Sequence, residues 1–137
     1  MPHQRGLTLL ELLVVLVVMA LITATVVLSV RDDARARLDR EADRLTAQLE
    51  AARTRARAEH SALQWHPVDG GYAIGPEVYR WFDPQTSATL QVGTDESASS
   101  LPLGPEPILP VMRLQLQLGS DRLVLQTDGL RPFEVQR

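Results

Sequence analysis

The stretch Arg5-Gly6-Leu7-Thr8-Leu9-Leu10-Glu11-Leu12-Leu13-Val14-Val15-Leu16 decides how the rest of the chain is read. It opens an apolar run that continues to Val30 and in which only Thr8, Glu11, Thr23, Thr25 and Ser29 are polar. As a helix rising about 1.5 Å per residue, the run reaches ~36 Å and spans a hydrocarbon core of ~30 Å. Arg5 precedes it, and Arg31 follows with Asp32 and Asp33 directly behind. These sparse charges favour a cytoplasmic N-terminus with the C-terminal part on the far side of the membrane. A cleavable secretory signal would also show an apolar run, with Val18 and Ala20 as its small-residue site, but Glu11 speaks against it. A carboxylate in such a run costs on the order of 2.5 kcal/mol near the bilayer centre and less near the interface. Either it snorkels to the headgroups and does nothing, or it is kept for a purpose.

Outward from this segment the chain is ordinary. Its 137 residues are 45% apolar and 23% charged, which fits one small domain behind the greasy segment and is too little for a two-lobed enzyme. A net charge of −3 provides no field that would draw the protein to nucleic acid, so nucleic acid is not expected as a partner. The absence of cysteine excludes a disulfide framework, thiol catalysis and a zinc knuckle.

From Arg31 to Glu59 no Gly or Pro interrupts a helix. Leu38, Ala42, Leu45, Leu49, Ala52 and Ala56 alternate steps of four and three along one narrow face, which predicts docking on the protein's own sheet rather than a coiled-coil seam. Asp33 with Arg37 and Arg55 with Glu59 are spaced for surface ion pairs. The cluster Arg53, Arg55, Arg57, flanked by Glu50 and Glu59, reads as a solvated helix end. After His60 the period shortens to that of strands. Ala62–Val68 and Gly71–Ile74 flank Asp69-Gly70-Gly71 as a hairpin, and Val78–Phe82 and Ala88–Val92 are further strand candidates. Residues 93–110, with prolines at 102, 105, 107 and 110, predict a mobile loop. Met112–Leu118 alternates strictly, Arg122–Gln126 alternates after Gly119-Ser120-Asp121, and Pro132–Val135 follows Asp128-Gly129, as in a half-buried antiparallel sheet. The fold class is therefore α+β: a long N-terminal helix, half membrane-spanning and half amphipathic, on a C-terminal antiparallel sheet. The rod Leu7–Glu59 would be ~80 Å long.

No catalytic constellation emerges. His3, His60 and His66 lack metal-ligand spacing, no serine sits in a nucleophile elbow, and no glycine run has phosphate-loop spacing. Asp69 and Asp128 precede Gly at turns, where Asp is expected on conformational grounds. Asp95-Glu96 is a lone acidic pair unlike a calcium loop. Trp65, Tyr72, Tyr79, Trp81 and Phe82 read as core and hairpin packing rather than a binding surface. The chain is expected to be no enzyme and to need no cofactor or metal.

The opening stretch resembles the processing signal of type IV pilins and type II secretion pseudopilins. That signal consists of a leader ending in Gly, a hydrophobic first mature residue, then Thr, and Glu at the fifth mature position before an apolar helix. Gly6, Leu7, Thr8 and Glu11 fall into those places, with Leu7 standing where Phe is commonest. The C-terminal pattern Leu123-Val124-Leu125-Gln126-Thr127-Asp128-Gly129-Leu130-Arg131-Pro132-Phe133 also resembles the minor pseudopilin H family, though less specifically. The resemblance implies a leader at 1–6, a membrane and assembly helix at 7–30 and a periplasmic pilin-like domain at 31–137, divided into helix 31–59 and β domain 60–137. It implies prepilin peptidase cleavage between Gly6 and Leu7, N-methylation of Leu7, and an assembly role for Glu11. The expected setting is the inner membrane, crossed once, with a periplasmic C-terminal domain. Expected partners are the major and other minor pseudopilins and the inner-membrane secretion platform, in a fibre that has this subunit near its tip. The alternative within the same superfamily is a minor type IV pilin serving pilus assembly, DNA uptake or adhesion.

Overall fold

The computed structural model describes residues 9–96 and 98–136, with only the backbone described for 24–32. The chain divides into two compact units, Met1–Asp33 and Ala34–Arg137. One helix, α1 (Leu9–Glu59), runs through the boundary, as expected from a sequence without helix breakers over that range. Its C-terminus is closed by His60, whose φ of 51° is left-handed, while the Ser61 N–H donates to the Ala56 carbonyl at 3.0 Å. This is the six-to-one bond by which a left-handed residue ends a helix.

Within the second unit two antiparallel sheets form instead of the single expected sheet. The first has the order β3-β2-β1-β5 and the second the order β4-β6-β7-β8. In chain order the strands are β1 (Gln64–Val68), β2 (Gly71–Ile74), β3 (Glu77–Arg80), β4 (Ser87–Val92), β5 (Leu101–Pro102), β6 (Met112–Leu118), β7 (Asp121–Thr127) and β8 (Glu134–Gln136). The expected hairpin is present, with Val68 opposite Gly71 and Trp65 opposite Ile74. Pro67 fits inside β1 because bond alternation turns its missing N–H away from β2, past the point where the short β5 ends. The third strand ends at Arg80, leaving Trp81 and Phe82 beyond it.

The helical stripe performs as its period predicts: Leu38, Ala42, Leu45, Leu49, Ala52 and Ala56 are all buried. The first five of them meet Leu114, Leu116, Leu123 and Leu125 of the second sheet and Trp65, Tyr72 and Ile74 of the first in one core. The alternation of β6 reads directly as burial, with Met112, Leu114, Leu116 and Leu118 inward and Arg113 outward.

The segment 93–110 is the clearest correction. Leu101, Leu103 and Leu109 are buried in the core, Leu101 pairs with Trp65, and the Leu103 N–H donates to the Leu63 carbonyl at 2.9 Å. Gly104 approaches α1 so closely that a Cβ there would lie 2.9 Å from that of Ala56. The prolines prevent a long strand without preventing burial. The segment straps the first sheet and the helix together.

Candidate functional site

The expected processing residues Gly6 and Leu7 lie outside the described residues, as does the leader 1–6. Glu11 is described. It is exposed in the first turn of α1, where the positive end of the helix dipole favours a carboxylate. On either side of it Leu9, Leu10 and Leu12 to Ile22 present an almost unbroken set of exposed apolar side chains, among them Leu9 at 83% exposure. A helix that is apolar on every side has no stable state facing water, so this surface demands a cover of lipid or of other helices. Among the described residues no helix is long and apolar enough to cross a membrane. The apolar run with described side chains, Leu9–Thr23, is shorter than the roughly 20 residues a hydrocarbon core requires.

Among the described residues no group of His, Asp and Glu is placed to hold a metal ion. His60 is the helix terminator and His66 sits in β1 opposite Ala73. Asp128 caps the turn after β7 by accepting the N–H groups of Leu130 and Arg131, at 2.9 and 2.7 Å. These bonds hold its carboxyl below the usual value, the larger effect coming from Arg131.

The aromatic cluster divides. Trp65, Tyr72 and Trp81 are buried, with ring centroids 6.0 Å apart for Trp65 and Tyr72 and 4.6 Å apart for Tyr72 and Trp81. The Tyr72 hydroxyl donates to Gln48 Oε1, and burial pushes the phenol up to about 12. Phe82 is 61% exposed and lies beneath the Arg44 guanidinium, 4.6 Å from its ring centroid. Tyr79 stacks on Tyr72 at 5.4 Å and packs against the core, so four of the five rings serve packing and the fifth faces outward.

The arginines depart most from expectation. Arg53 is no part of a solvated helix end: it is 2% exposed and donates to the carbonyls of Gly129 and Arg131 and to Glu50 Oε1. Glu50 in turn accepts the Phe133 N–H at 3.0 Å. Arg55 pairs with Glu77 across to β3, not with Glu59, and Arg37 pairs with Asp83, not with Asp33. On the flank of α1 that meets the first sheet, the buried Glu41 accepts the Phe82 N–H at 2.6 Å and lies 3.5 Å from Arg44. Burial raises the Glu41 carboxyl above its ordinary value, against the opposing pull of the Phe82 N–H and of Arg44. Polar side chains therefore fix the helix to both sheets, Glu41 and Arg44 to the first and Glu50 and Arg53 to the second. What the spacing of Arg37, Arg40 and Arg44 by three and four could have revealed is a second helical stripe beside the apolar one.

Residues 1–27 match the family model of the prokaryotic N-terminal methylation motif. No curated protein and no solved structure matches the chain. The motif is a type IV pilin-like prepilin signal, and the α+β architecture with its N-terminal helix and antiparallel sheets is consistent with a pilin-like fold. It implies processing by a prepilin peptidase and partners of the pilin-assembly type. Gly6, Leu7 and Glu11 all lie within the matched residues.

Proposed function

We propose that the protein is a structural minor pseudopilin of a type II secretion system, of the H kind, placed near the tip of a short periplasmic fibre. The observation that carries this reading is the match of residues 1–27 to the N-terminal methylation motif. It is supported by the exposed apolar helix behind Glu11, which needs neighbouring helices or lipid to cover it. In this reading Leu7–Val30 anchors the precursor in the inner membrane with the remainder in the periplasm. Prepilin peptidase cuts after Gly6 and methylates Leu7. The folded domain serves as an assembly module and performs no catalysis.

The test is intact-mass analysis of the chain produced beside a prepilin peptidase. The expected product lacks Met1–Gly6 and carries one additional methyl group. Retention of Met1, or a terminus near Ala20, would overturn the reading. Crosslinking of the processed chain to the major and minor pseudopilins of a secretion system, rather than to pilus subunits, separates the H-type role from that of a minor type IV pilin.

A further inference from the structure

The outer edge of the first sheet is β3, and bond alternation shows which of its backbone groups look outward. The Trp81 N–H donates to the Gly70 carbonyl, so Tyr79 and Glu77 face β2 while Val78, Arg80 and Phe82 turn away from it. The helix closes part of this edge: Arg44 Nη1 donates to the Arg80 carbonyl at 3.1 Å and Glu41 accepts the Phe82 N–H. Among the described residues nothing bonds the N–H and C=O of Val78 or the N–H of Arg80, and Val78 is exposed. An unprotected edge of this kind is a template for another strand.

Two hollows flank it. One, of about 300 Å³, is lined by Arg37, Arg40 and Phe82. The other, of about 220 Å³, is lined by residues including Ala51, Arg55, Ile74 and Tyr79. Arg37, Arg44 and Arg55 each have a carboxylate, whereas Arg40 bonds only the carbonyl of Ala36 in its own helix. The exposed Phe82 ring beside these guanidinium groups completes a cationic, aromatic-floored site.

We propose that the open edge at Val78 and Arg80, with the Arg37, Arg40 and Phe82 hollow beside it, receives an extended acidic segment of another protein as an added strand. The edge offers a carbonyl as well as N–H groups and so asks for a partner that both donates and accepts along its backbone. A peptide does this and a phosphodiester chain cannot. The uncompensated Arg40 asks for a carboxylate. A second copy of this chain docking edge to edge would bring arginine against arginine, which costs affinity. None of these residues belongs to the matched segment 1–27, so this inference and the proposed function fail separately.

The probe is a short fluorescent peptide alternating valine and glutamate, titrated by anisotropy into the full chain held in mild detergent. Saturable binding is expected. Arg40→Glu, at an exposed position with no bond beyond its own helix, should weaken it about tenfold, or about 1.4 kcal/mol, with an unchanged circular dichroism spectrum. Val78→Pro, which removes one edge N–H, should weaken it comparably. The inference is overturned if the peptide does not bind, if its backbone N-methylated or lysine-for-glutamate counterpart binds equally well, or if Arg40→Glu has no effect. It is equally overturned if an oligothymidylate displaces the peptide at equal charge, since the site would then read charge and not a strand.

Discussion

Arg53 Nη2 lies 3.0 Å from the carbonyl oxygen of Gly129, a bond that ties the middle of the amphipathic helix to the turn after β7. The turn requires glycine at 129 for a separate reason, its packing on the 93–110 segment. Its φ is +86°, and a Cβ there would overlap the carbonyl of Leu109. The same turn is braced by Thr127, whose hydroxyl donates to the Arg131 carbonyl and accepts the Gly129 N–H. One guanidinium therefore organises the C-terminal end of the second sheet.

Arg53→Met should lower the unfolding free energy by about 2–3 kcal/mol, measured by denaturation of the full chain in detergent with Trp65 and Trp81 as reporters. Removing one member of a buried ion pair can cost more, but here each orphaned acceptor keeps another donor. The Arg131 carbonyl retains the Thr127 hydroxyl, Glu50 retains the Phe133 N–H, and the Gly129 carbonyl retains the long bond from the Leu109 N–H at 3.5 Å. Arg53→Lys should recover only part of the loss, because one ammonium cannot reproduce the planar fork that reaches both carbonyls. A variant as stable as the parent would show that the buried bonds contribute nothing net.

Glu41 predicts a pH dependence of definite sign. Burial raises its folded pKa above the ordinary 4.5. Between these two values the folded chain binds more protons than the unfolded chain, so the Glu41 contribution to stability falls as pH rises through that window and levels off above the folded pKa. Glu41→Gln keeps an acceptor for the Phe82 N–H while removing the titration. The difference between parent and variant unfolding curves, taken from pH 4 to pH 7, should decline with pH. A difference that is flat or rises would show that the Phe82 bond and Arg44 outweigh desolvation.

Leu101 tests the strap formed by residues 93–110. Fully buried, it should cost about 2–5 kcal/mol on replacement by Ala, whereas Ile108→Ala, at an exposed position of the same segment, should stay within about 0.5 kcal/mol. Equal effects at both positions, read from denaturation midpoints, would return the segment to the status of an unattached loop.

That segment also shows where sequence patterns stop carrying information. The stripe from Leu38 to Ala56 and the alternation of Met112–Leu118 are periodic, and periodicity maps onto faces, so their burial was legible. Leu101, Leu103 and Leu109 stand among prolines with no period. Only the tertiary fit, with Gly104 against Ala56, makes them core. Arg53 was illegible for another reason: its partners are main-chain carbonyls of residues distant in sequence, and no side-chain pattern encodes a carbonyl. The division into two sheets follows from β4 pairing with β6, across the whole of 93–110, and not with its chain neighbour β3, a choice that no local period encodes. At the N-terminus what was legible is the methylation motif of residues 1–27, because such a signal is read as a linear sequence and needs no tertiary fit.

Glu11 carries the last prediction, which rests on the proposed function. In that reading, cleavage after Gly6 leaves a charged amine on Leu7, four residues before the Glu11 carboxylate in a strongly apolar sequence. Charges are costly in an apolar setting, and in the proposed fibre an ion pair between the amine of one subunit and the carboxylate of its neighbour would lower that cost for both groups at once. Glu11→Ala should therefore be inserted and cleaved like the parent yet enter the fibre poorly. Processing is read by intact mass, and incorporation by crosslinking to partner subunits in the same cells. Glu11→Gln separates charge from shape: if charge pairing governs assembly it should resemble the alanine variant, and if hydrogen bonding suffices it should resemble the parent. Normal crosslinking and secretion by the processed Glu11→Ala chain would reduce the residue to a carboxylate tolerated at the membrane interface.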